Sequence, residues 1–519
     1  MNQQKKLPIG IQSLAEMIQG NYYYVDKTAY AHQLINEGKY YFLSRPRRFG
    51  KSLFLDTLKE LFEGNQSLFK GLFIEDKWDW QTTYPVIHLS FGSGTVRNRE
   101  ELDRRITQLL SEIREDLELP ENKALDIAGN FSDLIKQTSK KFSSKVVVLV
   151  DEYDKPILDN ITNPETAIEA REGLKNLYSV LKDSDPYLHF CLLTGVSKFS
   201  KVSLFSGLNN LRDITLSSQY SGICGYTDQD LDQTFAYEIT GFDRELMRFW
   251  YNGYNWGGDA VYNPFDVLLF FKEKEFRPFW FESATPTFLV KLLSERQFFT
   301  PNLAELHSSD ALLSRFDVQD ISNEALLFQA GYLTLKSVEE ITPGKKLYTL
   351  TYPNHEVQTS LNEALLPAMG LASDRALENG LKLLKDLRNQ DFVSLEQHFK
   401  ALFASMPHDW YRNNPIDQYE GHYASVFYSH LAALGLDLTV EDSSSSGQVD
   451  LAMNYQQQIF LFEFKTVANQ AEGKALQQLQ TKNYAAKYQD KGLPIYQIGI
   501  EFSKQQRQIV AFDVLPIDA

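Results

Sequence analysis

The sequence predicts an α/β protein in which a parallel sheet carrying a phosphate-binding loop comes first and a smaller α/β domain comes last. Three stretches predict it. "FLSRPRRFGKSLFLDTL" (Phe42–Leu58) passes from an apolar run through Gly50, Lys51 and Ser52 into residues of helical periodicity. "KVVVLVDEYDKPIL" ends the apolar run Val146–Val150 in two carboxylates, Asp151 and Glu152. "IFLFEFKTV" sets Glu463 and Lys465 inside an otherwise apolar strand.

With 519 residues and 43% hydrophobic content, the chain can bury more than one core. Its length suggests two to four domains of roughly 100–200 residues. A net charge of -16 argues against a protein that coats nucleic acid non-specifically, although it leaves room for a local basic groove. Two cysteines, Cys191 and Cys224, are too few for a disulfide framework. "MNQQKKLPIG" has no apolar segment behind its lysines, and no apolar run approaches the roughly 18 residues that span a bilayer. The expectation is a soluble, cytoplasmic protein without a membrane partner.

"KYYFLSRP" (Lys39–Pro46) reads as a buried strand that ends at a proline. Gly50, Lys51 and Ser52 close the pattern G-x-x-x-x-G-K-[ST], but Arg45 stands where its first glycine belongs. Three arginines, Arg45, Arg47 and Arg48, thus cluster about the expected phosphate position, and one of them is expected to be a structural or interdomain contact instead of a phosphate ligand. Leu53, Phe54, Leu55, Leu58, Leu61 and Phe62 recur at helical spacing, so Lys51 falls at a helix N-terminus, the anion-binding end. The plainer alternative is an unremarkable GKS at a helix start. The second stretch argues against it, because a buried parallel strand delivering Asp151 and Glu152 is where such sheets place ligands. In phosphate-loop enzymes the first such acid holds Mg²⁺ and the next can polarise water. A third strand, "LHFCLLTGVSKFS", runs into Thr194 and Ser197. These suit either a contact to the γ-phosphate or its water, or turn residues satisfying backbone groups; the turn reading is preferred.

With "YYYVDKTAYAHQLI", "RPRRFGKSLFLDTLKELFEG", "VVVLVDEYDKPI" and "LLTGVSKFSKVSLFSGLNNLRDIT", the region from about Leu7 to Cys224 resembles the bacterial AAA-ATPase-like family. The resemblance implies an AAA-type P-loop NTPase fold with ATP and Mg²⁺ as cofactors. It also makes the arginine-rich loop a family variant of the phosphate motif. Arg48, Gly50, Lys51, Ser52 and Asp151 would bind nucleotide, Ser52 and Asp151 the metal, and Glu152 would be the hydrolytic base.

After Cys224 the texture changes. Gly225 and the N-cap Thr227 open a helix, and "FWYNGYNWGGDAVYNPFDVLLFF" is dense in aromatics before another helix starts at Pro264. This matches the family's lid. Helices followed by a hairpin with its tip at Pro343–Gly344 suggest a winged-helix-like unit near Phe279–Val357. Its aromatics, such as Trp280, Tyr332 and Tyr352, read as core and not as a base-stacking platform.

Towards the C-terminus, Tyr423, Phe427, Leu431 and Leu434 form a helical stripe. A strand, a Ser/Gly turn and a strand follow. In "IFLFEFKTV", Phe460, Phe462 and Phe464 face one way, and Leu461, Glu463 and Lys465 the other. Burying that glutamate and lysine is costly without a purpose; a structural ion pair is the plainer alternative. With Asp450 the pattern becomes D-(x)n-E-x-K, which resembles the PD-(D/E)XK nuclease superfamily and implies a restriction-endonuclease-like fold. Asp450 and Glu463 would hold Mg²⁺ or Mn²⁺, Lys465 would orient water, and the helix-borne Glu420 would assist. Val449 replaces the usual proline. Lys474, Lys482, Lys487 and Lys491 suit either a local basic face or, as is usual for charge-bearing helix faces, a merely solvated one, with Gln477, Gln478 and Lys482 at family-like polar positions.

The expected organisation is a P-loop domain (1–224), a helical lid and winged-helix-like region (225–365), and a nuclease-like domain (366–519). The expected function is nucleotide-regulated, metal-dependent cleavage of DNA or RNA, in defence against foreign nucleic acid. The alternatives are an ATP-dependent switch or nucleic-acid-binding scaffold whose nuclease-like domain does not cut, and an ATPase regulator of a protein target. A nucleic-acid substrate is the expected partner, and a homo-oligomer is compatible with the sequence.

Overall fold

The computed structural model describes residues 4–121, 125–198, 208, 210–284, 289–290, 292–293, 296, 298–309, 313, 321–369, 376–404, 419–444 and 447–517. The chain divides into two compact units, Met1–Ala284 with His307–Asn354, and Thr285–Leu306 with His355–Ala519. The middle region is therefore shared between them.

The first unit is built on five parallel strands, β1 (Tyr40–Ser44), β2 (Val86–Ser90), β3 (Val146–Asp151), β4 (Leu188–Gly195) and β5 (Arg212–Asp213), in the order β2-β3-β4-β1-β5. Continuous apolar runs form β1 and β3 because both faces are covered, and every residue of each is buried. The order puts β4 between the loop-bearing β1 and the acid-bearing β3. Leu43 pairs with Thr194 and Ser90 with Asp151, so the strand ends align along one edge. Helix Lys51–Phe62 follows β1, and helix Arg99–Asp116 is capped by the Asn98 side chain, which accepts from Glu101 N at 2.9 Å.

The expected cap at Thr227 is a full capping box with Asp230. Tyr251, Tyr254, Trp256, Tyr262, Trp280 and Tyr332 are buried, as core aromatics should be. Where a winged-helix-like element was expected, helix Asn323–Ala330 precedes a hairpin of β7 (Thr334–Thr342) and β8 (Lys345–Thr351). Strand β6 (Leu306–Ser309) joins it in the order β6-β8-β7. No described helix is long and apolar enough to cross a membrane.

The second unit holds a mixed sheet ordered β13-β12-β11-β10-β9. Its strands are β9 (Asp437–Ser444), β10 (Gly447–Tyr455), β11 (Gln458–Val467), β12 (Ile495–Ser503) and β13 (Gln508–Ile517). Only β11 and β12 run parallel. Helix Tyr419–Ala433 packs on the phenylalanine face of β11: the Phe427 ring lies 5.1 Å from Phe462 and 5.0 Å from Phe464. On the other face, Leu461 joins Leu479 and Tyr484, around helix Lys474–Thr481. Period-two alternation thus assigns the two faces as the sequence implied.

His398 and His430 in this unit are buried with their Nε2 atoms 3.0 Å apart, so one neutral ring donates to the other. Burial pushes His398 down to about 4, with Lys382 adding to the effect, and His430 down to about 3, with His398 adding. The unfolded chain protonates both near pH 6.5. Below that value it binds more protons than the folded state, so stability is full above pH 6.5 and is lost as pH falls towards 4. The urea midpoint of this unit should therefore drop between pH 7.5 and pH 5, and His398→Leu/His430→Leu should flatten the slope. Equal wild-type midpoints at both pH values would contradict this.

Candidate functional site

Gly50 has φ 92 and no atom within 4 Å of where a Cβ would stand, which leaves an open backbone cradle at the helix start. Lys51 is buried, and its Nζ donates to the carbonyls of Arg45 and Pro46, both at 2.9 Å. Burial lowers its pKa, against the pull of Asp151. Ser52 Oγ donates to Asp151 Oδ2 at 2.6 Å, while Thr194 Oγ1 and Glu152 N donate to Oδ1 at 2.8 Å and 3.0 Å. The structure thus brings Gly50, Lys51, Ser52, Asp151 and Glu152 to one sheet edge. Thr194 joins them as a partner of the acid, a role the preferred turn reading missed.

Of the three arginines, Arg45 is the one that makes a structural contact. Its guanidinium is fully buried and donates to the carbonyls of Ser44 (2.8 Å), Thr215 (2.9 Å) and Tyr220 (3.0 Å). It lies 4.1 Å from the Trp256 ring centroid, and burial pushes its pKa down to about 10. The residue that replaces the motif glycine is therefore a structural tie. Arg48, with φ 69, rests its guanidinium 3.8 Å from the Phe265 ring centroid. Arg47 and Arg48 both line a cavity of about 670 Å³ together with Gly50, Ser52 and Glu152. Tyr23, Tyr24, Tyr226 and Leu268 supply an apolar wall to the same cavity. Open cradle, lysine, hydroxyl–carboxylate pair and adjoining cavity fit a nucleoside triphosphate with its cation.

Glu152 sits at φ 50, a strained conformation for a glutamate, and burial followed by the charge of Asp151 raises its pKa. Gly92 leaves it room: a Cβ there would stand 3.3 Å from Glu152 Oε2. Asp154, which the sequence reading passed over, is buried and accepts from Ser197 N at 2.6 Å and Val196 N at 3.1 Å. Tyr153 OH donates to Ser197 O at 2.9 Å. These bonds lock the turn after β4, so Ser197 takes the turn role. The second aspartate of "DEYD" was the available signal.

In the second unit, Glu463 is wholly buried on β11. Its Oε1 accepts from Lys465 Nζ at 2.9 Å and from Gln478 Nε2, while Oε2 has no hydrogen-bond partner among the described residues. Burial first, and the Asp450 charge second, push its pKa up to about 7 against the opposing Lys465. Lys465 remains about a quarter exposed, so the site opens to solvent. Val449 pairs with Asp442 and Leu451 with Val440 on β9, and Leu451 pairs with Phe462 on β11. Asp450 Oδ2 accepts from Phe464 N at 2.7 Å.

Asp450, Glu463 and Lys465 therefore gather at one place. Glu420 begins helix Tyr419–Ala433, but its side chain lies outside the described residues. Among the described residues no group of three or more His, Cys, Asp or Glu converges. The orphaned Glu463 oxygen beside a second carboxylate fits a hard divalent cation.

Sequence reasoning also missed Glu501. It is buried on β12, beside Lys465 in register, and accepts from Glu472 N and Lys474 N at 2.5 Å each. That carboxylate fixes the start of helix Lys474–Thr481, which carries Gln478. The acid in "IGIEFS" raised the same burial question as Glu463. The expected basic face is weaker than its lysine count suggests. Lys474 pairs with Glu472 and Lys487 with Asp442, leaving Lys482 and Lys491 exposed, while Gln477 points outward.

Residues 8–205 match the family model described as "Predicted AAA-ATPase", and residues 418–512 match the PD-(D/E)XK nuclease superfamily. An uncharacterized protein in the vnfD 5' region of Azotobacter chroococcum mcd 1 is 56% identical over 515 residues, covering 98% of this chain and 99% of that one. The chain belongs to the bacterial AAA-ATPase-like family with a C-terminal PD-(D/E)XK domain. A solved structure of the Aeropyrum pernix Orc1 protein in complex with DNA aligns at TM-score 0.27 and 13% identity, over 65% of this chain and 91% of that one. A likeness that low carries no argument.

For this AAA-ATPase-like chain, the buried tie makes a counter-intuitive prediction. Arg45→Gly restores the general phosphate-loop pattern, yet it strands three carbonyls and opens a void. It should lower the stability of the first unit by about 3 kcal/mol or more, read by urea denaturation with tryptophan fluorescence. An unchanged midpoint would remove Arg45 from its structural role.

Proposed function

We propose that the protein is a nucleotide-regulated, metal-dependent nuclease that cuts DNA or RNA phosphodiester bonds. The observation that carries this reading is Glu463: wholly buried, with one oxygen unpartnered among the described residues and the other held by Lys465 at 2.9 Å, beside Asp450. A purely structural ion pair would satisfy both oxygens, because an unpaired buried carboxylate oxygen costs stability. Asp450 and Glu463 would hold Mg²⁺ or Mn²⁺. Such an ion, when bound, acidifies water and balances charge on the phosphoryl oxygens. Lys465, reaching solvent from the same face, orients that water or offsets negative charge developing on the phosphate. Gln478 keeps Glu463 in position, and Glu501 anchors the helix that bears it.

In the first unit, ATP with Mg²⁺ is the proposed ligand. Lys51 would exchange the Arg45 and Pro46 carbonyls for phosphate oxygens, and Ser52 with Asp151 would hold the cation. Glu152, its pKa raised by burial and by the charge of Asp151, would take a proton from attacking water. Arg48 reaches the same cavity. Defence against foreign nucleic acid is the setting suggested by this pairing of domain types, an association at the level of fold.

Two tests separate the halves of the proposal. By calorimetry, Lys51→Ala should lose ATP binding, whereas Glu152→Gln should keep it and turn over ATP roughly 10²–10⁴-fold more slowly. Undiminished binding by Lys51→Ala would sink the phosphate-loop reading. For the nuclease, plasmid, linear and single-stranded substrates are incubated with Mg²⁺ or Mn²⁺, with and without ATP. Lys465→Ala should abolish cleavage and leave ATP binding unchanged. If wild type cuts nothing, the non-cutting scaffold takes the nuclease's place; if the variant cuts equally well, the Asp450–Glu463–Lys465 centre is not where cleavage occurs.

A further inference from the structure

A second cavity, of about 240 Å³, opens beside Asp450 in the C-terminal unit. Its walls are aromatic and apolar: Phe299, Pro301, Tyr428 and Phe464 surround it, and Asp450 and Glu441 stand at its polar edge. That volume lies below the range of roughly 300–1,000 Å³ typical of sites for drug-sized ligands, so it suits one planar ring system and not a whole nucleotide. No lysine or arginine lines it among the described residues, and both charged groups are carboxylates. An anionic group is disfavoured there, and a neutral flat ring is favoured.

The wall is built rather than accidental. Phe299 immediately precedes the short helix Thr300–Leu303, which is tied to helix Tyr419–Ala433 through buried hydroxyls. Thr300 Oγ1 donates to Ser425 O at 3.1 Å, and Ser429 Oγ donates to Thr300 Oγ1 at 2.8 Å. The same helix supplies Tyr428 and, at Gly421, a wall with no side chain. Phe464 contributes its ring from β11, and its amide donates to Asp450 Oδ2 at 2.7 Å. Asp450 is therefore shared between the cavity wall and the proposed phosphodiesterase centre, while Glu463 and Lys465 stand on the other face of β11.

We propose that this cavity takes an unstacked nucleobase next to the phosphodiester handled at Asp450 and Glu463, which makes the substrate class unpaired strands. The inference rests on the nuclease reading for its substrate, and it goes further in naming how the strand is held. A base inside a duplex is covered by its neighbours, whereas a base in a single strand or at a frayed end can enter. Every base has a π-face, so the site is tolerant of sequence.

The test uses the full-length Lys465→Ala protein with Mg²⁺, and fluorescein-labelled single strands read by anisotropy. One strand carries ordinary bases, one of equal length is abasic throughout, and a blunt hairpin duplex completes the set. The ordinary strand should bind roughly 10–100-fold more tightly than the abasic strand, in keeping with stacking on an aromatic side chain. Adding Phe299→Ala should bring the ordinary strand to the abasic level and leave abasic affinity unchanged. Phe299→Trp, which keeps a flat ring, should restore the difference; Phe299 is only half-buried, so both changes are compatible with folding.

Equal binding of the two strands overturns the proposal. So does a loss of the same size for both strands on Phe299→Ala, tighter binding of the blunt duplex, or no binding at all. Wild-type cleavage measured in parallel separates the two readings. Cutting without base dependence sinks the pocket and keeps the nuclease; base dependence without cutting does the reverse.

Discussion

The Arg45 guanidinium donates to carbonyls at the end of β1 and on the segment that follows β5 and rests on Trp256, and the geometry of the phosphate loop depends on this contact. Burying a charge costs several kcal/mol unless it is compensated; here three backbone carbonyls meet the terminal nitrogens and an aromatic face lies against the group, while Nε has no hydrogen-bond partner among the described residues. The carbonyl of Arg45 in turn accepts from Lys51. One residue thereby sets the path of the loop and the resting place of its lysine. A glycine gives such a loop freedom; this arginine gives it a fixed anchor.

The two candidate sites treat buried carboxylates in opposite ways. Asp151 has both oxygens occupied, by Ser52 on one side and by Thr194 and the Glu152 amide on the other. Glu463 has one oxygen held and one unpartnered among the described residues. The first arrangement is a closed resting state in which a cation must compete with a hydroxyl. The second already carries a desolvated oxygen, and a hard cation beside Asp450 would relieve that cost.

Much of this was legible in the sequence for physical reasons. Parallel strands covered on both faces must be apolar throughout, so β1 and β3 announced themselves, and a Gly-Lys-Ser after one and acids after the other marked the loop and its partner. Glu463 and Lys465 stood out because charge inside an apolar strand is expensive. Thr194, Asp154 and Arg45 were harder. Their partners are backbone groups or side chains distant in sequence, and such bonds leave no local pattern. The lysines of the last helical stretch misled in the other direction: composition counts charges, but pairing with Glu472 and Asp442 decides whether they are available. Asp450 was singled out by the D-(x)n-E-x-K pattern, whereas its bond from the Phe464 amide appears only in the fold.

The loop's contacts give a reason for its unusual composition. Phe49 meets Tyr254 at 4.8 Å and Trp256 at 5.4 Å between ring centroids, and its carbonyl accepts from Gly225 N at 3.0 Å. Trp280 Nε1 donates to Arg47 O at 3.3 Å, and Arg48 lies against Phe265 on helix Pro264–Glu273. Even Gly331 is pressed to Pro46, where a Cβ would come within 2.8 Å. Loop residues 45–49 thus serve as the packing surface for the aromatic segment that follows the parallel sheet. A triphosphate drawing Arg48 towards its charge would have to release Phe265. Arg48 thus joins the cavity beside Gly50 to helix Pro264–Glu273 by direct contact. Large, interlocking side chains stand here where a plain phosphate loop carries small ones, and "RPRRF" supplies them.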